Sequence, residues 1–161
     1  MKKNKEKKIC FICSSGGHFS ELYKLKNIAN QYNSFLVVEN TENIQQDFCK
    51  KIFYTKEINR KEKFFLIRFI LLFFKELFIF IKERPTHIVS TGALCGYPMM
   101  KIAKFFKKKI IYIESYARVY DLSVTGKRCL NIADLFIVQW PELQKKYPQT
   151  KYVGSLFGDK L

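Results

Sequence analysis

Apolar and polar positions along the chain follow two periods. Short apolar runs recur at residues 9–13, 35–39, 51–55, 87–90, 110–114, 135–138 and 152–154. Several are apolar on both faces, the pattern of strands covered on both sides in a parallel sheet. Between them lie segments with helical spacing. Residues 20–31 carry Leu22, Leu25, Ile28 and Ala29 on one face, expected to meet the sheet, with Ser20 as the candidate N-cap. Thr41 can cap a short helix bearing Ile44, Phe48 and Cys49. Pro98 is placed to open a helix over 98–106, and further helices are predicted over about 122–133 and 141–147. Strand and helix alternate throughout. The expected fold is α/β, a Rossmann-like doubly wound parallel sheet. At 161 residues with no linker or repeat, residues 1–161 read as one domain.

One stretch departs from this grammar. Residues 64–81 read FFLIRFILLFFKELFIFI, broken only by Arg68, Lys75 and Glu76, and the helix predicted over about 62–83 stops at Arg84-Pro85. As a helix, 64–81 spans about 27 Å, so length alone permits a transmembrane segment. Lys61, Arg68, Lys75 and Lys82 recur every seven residues and form one basic stripe. A basic stripe beside a broad apolar face suits a helix lying in the membrane interface, with Arg68, Phe69, Leu72, Phe73 and Lys75 as the residues expected to meet lipid. The other readings are a helix packed on the sheet with its apolar excess covered by a partner protein, and a true span.

Charge strengthens the interfacial reading. The formal net charge is +15, and 24 of the 29 basic residues are Lys. Such a surface attracts anions, and its poverty in Arg, the usual reader of guanine edges, favours an anionic membrane surface over nucleic acid. The bland alternative is a compositional bias toward Lys, Ile, Asn and Phe. The segment 1–8 is expected to be a solvated basic tail without the apolar core of a signal peptide. Five scattered cysteines suit a reduced compartment. Cys10 and Cys13 have redox-motif spacing but fall inside a strand, so they are expected to be core residues.

Candidate chemistry sits where strands end. Ser14, Ser15, Gly16, Gly17 and His18 form a tight turn between the first strand and first helix, a backbone suited to phosphate. It is neither G-x-G-x-x-G nor a nucleoside-triphosphate loop. Thr91, Gly92 and Gly96 form a second glycine-bearing turn, and Glu114, Ser115 and Arg118 follow a later strand. In an open α/β sheet these three loops should converge beyond the carboxyl ends of the strands. His18 is a candidate general base or a binding residue. Glu114 is a candidate base or a group that orients a sugar hydroxyl, or else a partner of Arg118 or of nearby backbone donors. His87 is expected to be structural. No metal-ligand spacing is present.

Five motifs in this order carry a family resemblance: Ser15-Gly16-Gly17-His18; Ser90-Thr91-Gly92 with Gly96-Tyr97-Pro98; Tyr112-Ile113-Glu114-Ser115-Tyr116-Ala117-Arg118; Leu122-Ser123-Val124-Thr125-Gly126-Lys127; and Val138-Gln139-Trp140-Pro141-Glu142-Leu143. Over nearly its whole length the chain resembles the membrane-associated subunit of two-chain GT-B glycosyltransferases. One branch is the eukaryotic N-acetylglucosaminyltransferase acting on dolichol diphosphate; the other is the bacterial capsular and exopolysaccharide pairs. The resemblance implies the N-terminal, acceptor-binding half of an inverting, metal-independent enzyme. The glycine loops would cradle the diphosphate of a polyprenyl-linked acceptor. A separate C-terminal-half subunit would bind the nucleotide sugar, UDP-linked, so this chain itself would bind no cofactor and would be inactive without that partner. It implies a heterodimer, peripheral or monotopic, at the cytoplasmic face of the plasma membrane. Residues 1–8 cannot be the N-terminal anchor of the eukaryotic subunit, so anchoring falls to 64–81 and the lysines. Two other functions compete: a self-sufficient sugar-nucleotide-dependent enzyme acting as a homodimer, and a basic nucleic-acid-binding module, which lacks a recognisable motif.

Overall fold

The computed structural model describes residues 4–40, 47–59 and 61–158. Its strands are β1 (Asn4–Cys13), β2 (Tyr32–Glu39), β3 (Ile52–Thr55), β4 (His87–Ser90), β5 (Lys109–Ile113), β6 (Leu135–Val138) and β7 (Lys151–Tyr152). They form one parallel sheet in the order β3-β2-β1-β4-β5-β6-β7. The chain builds outward from β1 in one direction, then returns to β4 and builds outward in the other. The strand order therefore reverses between β1 and β4, where open α/β sheets form their ligand crevice.

The helices are α1 (Gly17–Tyr23), α2 (Lys26–Gln31), α3 (Phe65–Glu83), α4 (Tyr97–Phe105), α5 (Val124–Cys129) and α6 (Pro141–Lys146). On one sheet face, Cys10, Ile12, Ile88, Ile110 and Tyr112 pack with Ile79 and Phe80 of α3, Met99, Met100 and Ala103 of α4, Cys129 and Leu143. On the other, Phe11, Leu36 and Val38 pack with Phe19, Leu22, Ala29 and Phe48. This second layer is incomplete. Over β5 and β6, half-buried Ile111, Leu135 and Ile137 line an open apolar groove of about 350 Å³. All five cysteines are buried, and burial pushes the Cys10 and Cys13 thiols well up, which suits core residues and not a redox pair.

Several expectations change. Of the segment expected as a solvated tail, residues 1–3 lie outside the described residues and 4–8 enter the sheet as the start of β1, Asn4 opposite Tyr32 and Lys8 opposite Asn33. Lys8 is further tied by Glu83, at 2.8 Å. The first helix is two helices that break at Lys24-Leu25. Gly16, at φ 71°, turns the chain sharply enough for α1 to begin at Gly17, so Ser20 is not a cap but donates to the Gly16 carbonyl at 3.2 Å. The break rotates α2, leaving Ile28 exposed. Phe48 and Cys49 are buried in a turn; Thr41 and Ile44 lie outside the described residues. α5 ends at Cys129, well short of the predicted helix.

α3 is apolar on two opposite faces. Leu72, Glu76, Ile79, Phe80 and Glu83 are buried against the domain. Leu66, Ile67, Ile70, Leu71, Phe74, Phe78 and Ile81 are exposed. Arg68 and Lys75 are exposed and Phe73 lies at the edge of the exposed face, whereas Leu72 is 5% exposed and faces the domain, and Phe69 is half-buried between the two faces. Among the described residues no helix is long and apolar enough to cross a membrane. Arg84 takes a left-handed φ of 49° and Pro85 follows, which ends the helix.

Candidate active site at the switch point

The three loops predicted to converge do so. His18 opens α1 beyond β1; Thr91 and Gly92 follow β4. His18 Nδ1 lies 2.9 Å from the Thr91 carbonyl oxygen, and the Thr91 hydroxyl donates to the His18 carbonyl at 2.7 Å. A carbonyl can only accept, so Nδ1 carries the proton and Nε2 of the neutral ring keeps a lone pair. Gly92 makes this approach possible. Its φ is +114°, and a side-chain carbon there would sit 2.9 Å from His18 Cε1.

His18, Ala93, Ser115, Ala117, Arg118, Ser123, Val124 and Thr125 line one cavity of about 330 Å³. Of the sequence-predicted residues, His18, Ser115 and Arg118 thus share a pocket. Gly16 and Gly17 are exposed, with open space where side chains would be. Ser14 and Ser15 are half-buried beside them. Thr91 is buried and directs its carbonyl and its hydroxyl to His18. Gly96 lies apart from the cavity. It is buried, and a side-chain carbon there would meet Ser90 Oγ at 3.1 Å and Ile12.

Glu114 is placed as a brace. It is fully buried. Oε1 accepts from the Ser115 N–H at 3.0 Å; Oε2 accepts from the Ser123 N–H and hydroxyl at 3.0 and 3.1 Å. Burial raises its pKa, while these donors and the Arg118 charge oppose the rise. Ser123 in turn caps α5, accepting from the Gly126 N–H at 2.9 Å. Gly126 must lack a side chain, since a carbon there would lie 1.9 Å from Glu114 Oε2. Of its sequence readings, the geometry matches partnership with backbone donors.

Sequence reasoning missed Glu21. It projects from α1, is 4% exposed, and joins three segments. Oε1 accepts from the Ser115 hydroxyl at 2.8 Å and the Tyr116 N–H at 3.1 Å; Oε2 accepts from Gln139 Nε2 at 3.1 Å. Gln139 Nε2 also reaches the Glu114 carbonyl, and the Trp140 indole N–H donates to the Tyr116 carbonyl at 2.6 Å. Glu39 plays a similar part at the end of β2. Burial raises its pKa, opposed by donors at Ile58, Ser15 and Cys95. Buried carboxylates thus pin the 14–18 and 114–123 loops from beneath. Gln139, Trp140, Ser123 and Gly126 all lay in quoted motifs, but only their spatial neighbours reveal what they do. Among the described residues no group of three or more His, Cys, Asp and Glu is placed to hold a metal ion.

Comparison with known proteins gives this geometry a context. The family model described as "Oligosaccharide biosynthesis protein Alg14 like" matches residues 66–156, more than half of the chain. The mouse UDP-N-acetylglucosamine transferase subunit ALG14 is 27% identical over an alignment covering 92% of this chain and 82% of the mouse protein. The Debaryomyces hansenii subunit is 29% identical, covering 92% of this chain and 75% of its own. The Schizosaccharomyces pombe subunit is 48% identical over 63 residues, only 38% of this chain and 28% of that protein. Among solved structures, Acinetobacter baumannii MurG matches with a TM-score of 0.67 at 12% identity, and Rickettsia bellii UDP-N-acetylglucosamine 2-epimerase with 0.71 at 17%. The matches cover 84% and 94% of this chain but 42% and 45% of those chains. At such identities the likeness is one of fold: the domain corresponds to one half of a GT-B-type architecture.

Proposed function

The chain belongs to the Alg14-like family of oligosaccharide biosynthesis proteins, and from that premise we propose that it is the acceptor-binding, non-autonomous subunit of an inverting glycosyltransferase. The observation that carries the reading is the His18 pocket, where hydrogen bonding to Thr91 orients the imidazole among Ser115, Arg118 and Ser123. In this reading the exposed Gly16-Gly17 backbone and Arg118 receive the diphosphate of a polyprenyl-linked acceptor. His18 Nε2 takes the proton of the acceptor hydroxyl as its oxygen attacks the anomeric carbon. The nucleotide diphosphate departs from that carbon into a site on the partner chain, which holds the nucleotide sugar. Thr91 and Gly92 are positioning residues for His18; Glu114, Glu21 and Gln139 position the loop bearing Ser115 and Arg118. The apolar groove over β5 and β6 is surface that a partner subunit would bury.

The outward face of α3 is assigned to a membrane surface, with the exposed Arg68, Lys75 and Lys82 at headgroup level. Placement at the cytoplasmic face of a plasma membrane, in capsular or exopolysaccharide synthesis, is part of the same proposal. It rests on the motif resemblance, since the relatives named above are fungal and mammalian.

The test is turnover of a polyprenyl-diphosphate acceptor and a UDP-sugar. Negligible activity from this chain alone, restored on adding a C-terminal-half subunit, is the expected result; robust turnover by the isolated chain overturns it. In the assembled enzyme His18→Ala should lower kcat by about 10²–10⁴-fold. An unchanged kcat with a raised KM would make His18 a binding residue only. Because Leu72 faces inward and Phe69 is half-buried, the membrane test uses Ile67→Glu with Phe74→Glu, both exposed, which should release a folded chain from vesicles.

A further inference from the structure

A groove of about 380 Å³ runs along one flank of α3. Lys56 and Ile58 line it from the segment after β3; Arg68, Leu71, Leu72 and Lys75 line it from the helix. The composition is divided. Three basic side chains stand at the walls, and among the described residues no acidic one lines it. Leu72, 5% exposed, and half-buried Ile58 make the floor apolar. Arg68 is held by an ion pair with Glu62, which offsets one of the three charges and fixes the guanidinium at the wall. Leu71, 63% exposed, forms the rim, and its helical neighbours Ile67 and Phe74 belong to the outward apolar face. The groove therefore opens onto the surface assigned to the bilayer, along the basic stripe.

A small inorganic anion would gain from the walls and nothing from the floor. An amphiphile with an anionic head gains from both. We propose that this groove is a one-to-one site for an anionic phospholipid of the bilayer. Its phosphodiester sits among Lys56, Arg68 and Lys75, and its acyl chains pass over Leu71 toward Ile67 and Phe74. This goes beyond diffuse attraction to a charged surface, and it rests on the membrane reading of α3. It also places a lipid headgroup on the carboxyl edge of the sheet, beside the segment whose Ile58 N–H reaches Glu39 at 3.4 Å.

The experiment compares two triple variants of the full chain that remove equal charge. One is Lys56→Gln, Arg68→Gln, Lys75→Gln. The other is Lys24→Gln, Lys145→Gln, Lys151→Gln, all exposed and away from α3. Binding is measured to phosphatidylcholine vesicles with and without roughly 25% phosphatidylglycerol. The groove variant should lose about a hundredfold in affinity for the anionic vesicles and keep its affinity for neutral ones, while the control loses less than about threefold. Equal losses in both variants overturn the site and leave only diffuse charge. A second arm titrates the parent with short-chain dihexanoyl phosphatidylglycerol below its micelle concentration, or with inorganic phosphate, and follows the Arg68 side-chain Nε–H by NMR. Saturable one-to-one binding of the lipid, absent in a Lys56→Gln, Lys75→Gln variant that keeps the Arg68 probe, supports the site even if no vesicle binds, so failure of the membrane reading is told apart. Phosphate acting as strongly as the lipid overturns the assignment to a phospholipid.

Discussion

Glu114 and Glu76 are both fully buried carboxylates in one domain, and their surroundings are opposite. Glu114, at the end of β5, accepts from two backbone N–H groups and a hydroxyl. Glu76, in the middle of α3, has no well-formed hydrogen bond to either oxygen among the described residues, the Met99 N–H being the one donor turned toward it. Burial pushes its pKa well up, and the Met99 N–H at the start of α4 offsets only part of that. The edge that forms the crevice thus uses buried acids to pin loops, as do Glu21 and Glu39. α3 is secured at its end, where Lys8 and Lys51 pair with Glu83, and by apolar contacts. At its middle it carries a polar group that costs stability. Polar satisfaction is concentrated where ligand geometry must be held, while α3 attaches mainly through apolar packing.

The comparison breaks first at Gly126. Gly126→Val forces a side chain into Glu114 Oε2 and strips that carboxylate of its donors. The expected loss exceeds about 4 kcal/mol, read from urea unfolding or from failure to fold. Parent-like stability would mean that Glu114 is not the brace described. Next is Glu21→Ala, which leaves the Ser115 hydroxyl, the Tyr116 N–H and Gln139 Nε2 without their acceptor. A loss of about 2–3 kcal/mol is expected, with a fall in acceptor affinity as the 115–118 loop loosens. Glu76→Met should move the other way. The replacement is similar in length, favours helix and has no polar oxygen to satisfy, so a gain of about 1–2 kcal/mol is expected in the same assay. A loss would show that Glu76 has a partner in solution.

The two regions also differ in how far the sequence disclosed them. The strands and their parallel arrangement were legible because doubly covered strands must be continuously apolar, as in Cys10-Phe11-Ile12-Cys13. The crevice was legible because loops at strand ends converge wherever such a sheet reverses order. Glu21 was not. It reads as an ordinary helix-surface acid, and only the approach of Ser115 and Gln139, each more than 90 residues away, buries it. The orientation of α3 was illegible for a different reason. Its apolar residues run around most of the helix, so periodicity does not say which face meets the core: Leu72, expected at the lipid, turns inward, and Phe69 lies half-buried between the two faces. Ser20 misled because a capping residue type matters only where the preceding backbone needs a cap, and Gly16 had already made the turn.

The smallest expected effect is also the most specific to Glu76. The unfolded chain releases its proton near the ordinary value of 4.5, whereas the folded chain holds it well above that. Below 4.5 both states are protonated and pH has no leverage through this group. Above it the unfolded state ionises and the folded state does not, so unfolding gains free energy as pH rises, until the folded value is reached. Glu21, Glu39 and Glu114 are also raised by burial, but they are common to the parent and Glu76→Met, so their contributions cancel in the difference. The stability advantage of Glu76→Met should therefore widen by about 0.4 kcal/mol between pH ~4.5 and ~5.0 and continue to widen above that. Paired urea titrations at closely spaced pH values resolve this as a steady separation of midpoints. A constant gap would mean that Glu76 titrates alike in both states, which requires solvent or a hydrogen-bond donor at its carboxylate and would erase the contrast with Glu114. A gap that narrows with rising pH would mean that the folded state favours the ionised form, placing a cation beside Glu76 and making α3 as firmly pinned at its middle as the crevice loops are.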